Sequence, residues 1–182
     1  MSGATDFWIR WRVRMGYPVG AAAFLFAQPR PAWIAAGAGL VTFGLALRGW
    51  AASHLRKHEA LANSGPYAYT RNPLYLGSVI LGAGFAVASH NWASASLLGA
   101  YFAVFYPMVI QREERELAAK YGAAFQQYAA RVPAFWPRFA ARDLSAGQPF
   151  SWALYFRNRE YEAALGSALG MALLWLLMLL RR

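Results

Sequence analysis

The sequence predicts an all-α integral membrane protein of about five transmembrane helices, and three observations carry that prediction. The composition is 58% hydrophobic and 16% aromatic with only 14% charged residues, whereas soluble domains carry about a quarter charged. Apolar runs recur along the chain at a length that crosses hydrocarbon, about 20 residues. The cations sit at the ends of those runs, where lysine and arginine orient a membrane protein. That placement argues against the nucleic-acid partner that a net charge of +10 would otherwise suggest. With no cysteine, neither a disulfide framework nor a thiolate site is available.

Taken in order, residues 1–17 mix Asp6, Arg10, Arg12 and Arg14 with Trp8 and Trp11. They lack the unbroken apolar core of a cleavable signal peptide and read as an interfacial segment. A first span at 15–28 is short and needs flanking residues to reach across. Pro29-Arg30-Pro31 separates it from a second span at 32–53, interrupted only by Arg48, whose long stem lets the charge snorkel. The third span, 73–89, is parted from the fourth, 92–111, by Ser89-His90-Asn91. Both connectors are tight, so each pair is expected to be an antiparallel hairpin.

Past the fourth span the chain is expected to continue as helix over 113–130, because Leu117, Tyr121, Phe125 and Tyr128 form one apolar stripe at helical spacing. Pro133 and Pro137 end it, since each disfavours helix in the residue before it. A polar loop at 143–148 and an aromatic interfacial stretch at 150–156 lead to a last span at 161–180.

Of the 18 Lys and Arg, fifteen lie on one side of this scheme, which places the N-terminus and the polar regions in the cytoplasm. The expected location is the bacterial inner membrane. Arg181-Arg182 falls on the other side, and a re-entrant last helix would reconcile it. With no internal repeat and no linker, the chain reads as one domain over 1–182.

Two polar clusters return to the same face. One is Gly65-Pro66-Tyr67-Ala68-Tyr69-Thr70-Arg71-Asn72-Pro73-Leu74-Tyr75-Leu76-Gly77, a turn-rich loop running into the third span. The other is Arg112-Glu113-Glu114-Arg115-Glu116, at the end of the fourth. Together they suggest a composite site. Each piece has a plainer reading: the glutamates as a solvated helix start, Arg71 as a phosphate anchor, Pro73 as a helix opener, Tyr75 and Tyr128 as belt aromatics. His54 and His58 are four apart but lack a third ligand, so no metal site is expected. Gly37-Ala38-Gly39 and Gly82-Ala83-Gly84 lie in apolar helices and read as close packing points.

In combination these motifs resemble the isoprenylcysteine carboxyl methyltransferase and phospholipid methyltransferase superfamily, integral membrane enzymes that use S-adenosylmethionine. The pattern is Gly-Pro-Tyr, Arg-Asn-Pro-Leu-Tyr-Leu-Gly, Glu-Glu, Tyr-Gly, Tyr, Val-Pro and Trp-Pro in that order, covering about residues 40–138. The resemblance implies that Arg71, Asn72, Pro73, Tyr75, Gly77, Glu113, Glu114, Tyr121 and Tyr128 surround the methyl donor at the cytoplasmic helix ends. Asn72 stands where carboxyl methyltransferases have histidine, which shifts the expected acceptor toward a lipid or small hydrophobic molecule.

The chemistry agrees. Carboxylates can hold an amino group or ribose hydroxyls, aromatic faces such as Tyr75, Tyr121 or Phe125 attract a sulfonium, and Arg71 could take a carboxylate in a two-pronged bond. Glu160 and Glu162 suit a helix N-terminus. The functional alternative has the 157–161 segment fold over the site, with Arg157 and Glu160, beside Asn72, as candidates for a headgroup contact or a base. The expected partners are membrane lipids and a lipophilic acceptor. A non-catalytic membrane scaffold and a nicotinamide-dependent membrane reductase are the competing classes.

Overall fold

The computed structural model describes residues 2–57, 59–138 and 148–181, without the side chains of 2–10, 12 and 13. Among the described residues seven α-helices follow in order: α1 (Ser2–Phe26), α2 (Pro31–Ala52), α3 (Pro73–Ser89), α4 (Trp92–Tyr121), α5 (Ala123–Arg131), α6 (Trp152–Arg157) and α7 (Glu160–Leu180). A 3₁₀ turn, Gly65–Ala68, precedes α3, and no strand occurs among the described residues. The all-α membrane prediction holds. α2, α4 and α7 are long and apolar enough to cross a membrane, and α3 is a shorter apolar helix. The expected first span is part of α1, which runs unbroken through Pro18. His58 and the expected loop at 143–147 lie outside the described residues.

Helix continues past the fourth span as expected, but the expected 113–130 helix is divided at Gly122. The fourth span and the start of the following helix form a single 30-residue helix, with Pro107 inside it. Nothing between Pro107 and Tyr121 breaks helix, and the break falls at Gly122, whose φ of 51° suits a residue without Cβ.

The chain divides into two compact units. The first comprises Met1–Phe43, Val79–Gln111 and Gly166–Arg182. Its helices meet through small residues: a Cβ on Gly84 would lie 2.8 Å from the Gly37 carbonyl oxygen, and one on Gly37 would lie 2.6 Å from Ala88 Cβ. The sequence reading of packing points is met at Gly37, Gly82 and Gly84, whereas a Cβ on Gly39 would meet nothing within 4 Å. Ala27, Ala88 and Leu174 form a buried cluster against Phe24, Phe85 and Met171.

One end of this unit gathers both connectors. Gln28 N–H donates to the Ser89 carbonyl at 2.8 Å, and Ser94 Oγ donates to Ala23 at 2.7 Å. Asn91 Oδ1 caps α4 by accepting from Ala93 N–H at 2.8 Å. Arg181 donates to the Ala27 and Leu25 carbonyls at the end of α1, so this terminal cation has partners at that helix end. α7 is one uninterrupted helix whose C-terminus reaches that end, so no re-entrant turn is required. An apolar cleft of about 290 Å³ opens among Gly20, Phe24, Phe85, Phe102 and Gly166.

The second unit comprises Gly44–Ser78 and Arg112–Leu165 and contains all of the expected site residues. The apolar stripe read from the sequence buries here: Phe125, Tyr128 and Val132 form its core, with Leu61, Leu117 and Tyr121 packed around it.

Candidate functional site

The loop before α3 is held by the segment after α5. Pro133 and Pro137 keep that segment out of helix, so its carbonyls need partners from elsewhere. They find them in 69–72: Arg71 N–H donates to Pro133 at 2.9 Å, Thr70 Oγ1 to Phe135 at 2.9 Å and Asn72 Nδ2 to Ala134 at 2.9 Å. In return Arg138 N–H donates to Tyr69 at 3.0 Å. Tyr128 Oη, on α5, donates to the Tyr67 carbonyl at 2.7 Å. Gly65 opens the 3₁₀ turn at φ 58°, with the His54 ring so close that a Cβ there would meet it at 2.6 Å. His54 itself lies 3.0 Å from the Trp50 and Gln148 carbonyls. Its role is to join α2 to the segment before α6.

Within this frame the two sequence clusters meet. Arg71 Nε donates to Glu114 Oε1 at 2.8 Å, with the side chains 15% and 24% exposed. Arg71 Nη1 also donates to the Ala129 and Val132 carbonyls at 2.9 and 3.0 Å, capping the end of α5 where the helix dipole favours a cation. Its guanidinium stands 6.0 Å from the centre of the Phe125 ring. Asn72 Nδ2 reaches the same Glu114 oxygen at 3.4 Å. One helical turn into α3, Tyr75 Oη donates to Glu113 Oε1 at 2.5 Å in an exposed position. Adjacent glutamates on α4 therefore take different partners, one inward and one outward.

Other expected residues occupy packing roles. Pro73 is buried at the first position of α3, as its missing N–H allows. Gly77 is buried where α2 crosses closely: a Cβ would meet Arg48 Cγ at 2.7 Å and the Gly44 carbonyl oxygen at 2.9 Å. Tyr121 borders the α5 core and carries Lys120 Nζ 5.3 Å above its ring. Arg157 pairs with Glu59 at 2.9 Å on the surface, both about half exposed (50% and 55%).

A second centre was not legible as such in the sequence. Arg48, read as a snorkelling cation, instead donates from Nε to Glu160 Oε2 at 3.0 Å and from Nη2 to Oε1 at 2.8 Å. Nη1 donates to Ser78 Oγ and to the Leu74 carbonyl. The Glu160 side chain is 9% exposed. The one sequence signal was a cation inside an apolar helix, a position that is costly without a partner.

Tyr67, missed as well, is buried beside both centres. Burial pushes its phenol well above the ordinary tyrosine range, and the fields of Tyr128, Glu113, Glu160 and Tyr75 add to the shift. The Tyr128 phenol is also raised, again chiefly by burial, with Arg71 opposing.

Comparison with known proteins fits this arrangement. A model of the phospholipid methyltransferase family matches residues 33–124. The cobalt-zinc-cadmium resistance protein CzcN of Cupriavidus metallidurans is 32% identical over 140 residues, 71% of this chain and 63% of that protein. The nickel-cobalt-cadmium resistance protein NccN of Alcaligenes xylosoxydans xylosoxydans is 32% identical over 137 residues, 71% and 64%. Protein-S-isoprenylcysteine O-methyltransferase of Schizosaccharomyces pombe is 33% identical over 82 residues, 45% and 35%. The match spans less than two thirds of the length of each of these relatives. No solved structure matches. The matched region spans both polar clusters, the loop that carries Arg71 and the helices that carry Arg48, Tyr75, Glu113 and Glu114, and the chain belongs to the phospholipid methyltransferase family.

Proposed function

We propose that this protein is a membrane methyltransferase that moves a methyl group from S-adenosylmethionine to a lipophilic acceptor at the cytoplasmic face of a bacterial inner membrane. The observation that carries the proposal is the division of labour between Glu114 and Glu113. Glu114, with Arg71 and Asn72, braces the loop from within, while Glu113 and Tyr75 form an exposed pair beside it.

The bound donor supplies a methyl group on a sulfonium, whose transfer is strongly downhill. The chain's task is then positioning and exclusion of water. Glu113 and Tyr75 suit it chemically: a reachable carboxylate for an amine or ribose hydroxyls, and an aromatic face for a cation. Arg71, expected to take the donor's carboxylate, is committed through Nε and Nη1 to Glu114 and two carbonyls, so its proposed part is to hold the frame. Among Arg157, Glu160 and Asn72, Glu160 is the best candidate to meet the acceptor, being a buried carboxylate near Tyr67. The acceptor classes are a phospholipid amine, a hydrophobic or isoprenylcysteine-like carboxylate, and a small thiol.

The test is transfer of labelled methyl by the purified protein. Phosphatidylethanolamine vesicles, N-acetyl-S-farnesylcysteine and total lipid extract would serve as acceptors. Label in the lipid phase is expected; neither transfer nor donor binding would sink the proposal. The two metal-resistance relatives favour a second reading, in which this fold contributes to heavy-metal tolerance without methyl transfer. Growth on cadmium of a deletion strain complemented with wild type or Glu113→Gln separates them, because a non-catalytic role should survive that substitution.

A further inference from the structure

We propose that Arg48 is a positioning residue of this site: it fixes the Glu160 carboxylate, and with it the first turn of α7, beside Tyr67. The inference rests on the reading above in which Glu160 meets the acceptor.

The geometry is specific. The guanidinium presents its Nε–Nη2 edge to both carboxylate oxygens of Glu160, the fork-to-fork arrangement that fixes orientation as well as distance. Its other edge is anchored to α3 through Ser78 Oγ and the Leu74 carbonyl. Gly77 makes room for the arginine stem, which a Cβ would strike. Lysine could carry the charge but not this fork.

Glu160 also sits at a junction that needs holding. Arg159, immediately before it, has φ 58°, a left-handed conformation unusual for a side chain with Cβ. Asn158 Nδ2 is pinned to the Ala52 and Leu55 carbonyls at 2.9 Å each. Tyr155 lies against Gly49, 3.3 Å from where a Cβ would stand. The last turn of α2 thus holds the α6–α7 junction, and Arg48 is the only one of these contacts that seizes a titratable group.

A buried ion pair is weak evidence of net stabilisation, because desolvation offsets much of the attraction. Its retention in an otherwise apolar helix is better explained by what it orients. Among the described residues, Arg48 from α2 is the cation paired with Glu160, and Tyr67 from the 3₁₀ turn lies within reach of its field.

The experiment compares Arg48→Met, Arg48→Lys, Glu160→Gln and the Arg48→Met/Glu160→Gln double variant in detergent. Turnover is followed on whichever of the three acceptor preparations wild type labels. Donor affinity and amide hydrogen exchange over 158–165 are measured alongside. Expected are a fall in kcat of about tenfold or more in Arg48→Met, partial recovery in Arg48→Lys, and donor Kd within about twofold. The double variant should be no worse than Glu160→Gln alone, since both substitutions remove one interaction. Exchange should quicken by about tenfold over 158–165 and not elsewhere.

Unchanged turnover per folded molecule, or additive losses in the double variant, would overturn the inference. If wild type labels no acceptor, the catalytic reading falls by itself. The exchange arm then still decides: protection over 158–165 that is unchanged in Arg48→Met, or lost throughout the chain, rejects Arg48 as the residue that holds this junction.

Discussion

Each of the two units of this chain is held together internally by different physics. In the first, helices approach through glycine and alanine, with Gly37 against Gly84 and a cluster built on Ala27, Ala88 and Leu174. In the second, loops and helix ends are joined by side chains that reach carbonyls or carboxylates, with Arg71, Asn72, Thr70, Tyr128 and Asn158 each making such a bond. Where the surrounding medium is hydrocarbon, apolar burial contributes little between helices and close contact must serve. Where backbone leaves regular helix, its polar groups need partners, and the residues that supply them can also build a site.

The comparison breaks most visibly at its tightest contact. Gly84→Leu drives a side chain into the Gly37 backbone and should destabilise at the top of the range for overpacking, about 3 kcal/mol. A lower melting temperature in detergent and a smaller monodisperse fraction would show it. Little change would mean that the helices do not meet as described.

In the second unit, Glu114→Gln leaves Arg71 without its carboxylate. Breaking a buried pair costs about 3–5 kcal/mol. With Glu114 a quarter exposed and solvent screening the charge, about 2 kcal/mol is expected. Chemical denaturation in micelles measures it. Tyr128→Phe removes one buried hydrogen bond, to the Tyr67 carbonyl, and should cost about 1 kcal/mol.

Alkaline pH offers a further handle on the same unit. Tyr67 and Tyr128 hold their protons more tightly when folded, whereas unfolded tyrosine ionises near pH about 10. Above that pH the unfolded state binds fewer protons, so stability falls as pH rises. Tyr67→Phe should flatten this alkaline decline relative to wild type, and an unchanged slope would mean that other groups cause it.

The smallest effect on stability belongs to Glu113→Gln, at the exposed pair with Tyr75, with a change of about 0.5 kcal/mol or less. Donor affinity should nevertheless fall by about tenfold in equilibrium binding. A large stability loss with unchanged affinity would assign Glu113 to the frame and reverse the roles of the two glutamates.

Much of this was legible in the sequence. Long apolar runs and cations at their ends specify membrane helices, because hydrocarbon thickness and the cost of burying charge act on each segment separately. The stripe of Leu117, Tyr121, Phe125 and Tyr128 likewise follows from helical period, and its residues pack together although Gly122 divides them between α4 and α5. The motif Arg71-Asn72-Pro73 and the acidic pair stood out as polar clusters expected to meet, and Arg71 does pair with Glu114.

The partners were not recoverable. Glu113 and Glu114 are neighbours of identical type, and only the direction each takes from α4 distinguishes the one on Tyr75 from the one on Arg71. Arg48 and Glu160 are 112 residues apart. Local pattern marks Arg48 only as a cation in an apolar helix and Glu160 only as a helix-opening acid. That they meet depends on which helix ends come together, a property of long-range packing that no single segment encodes.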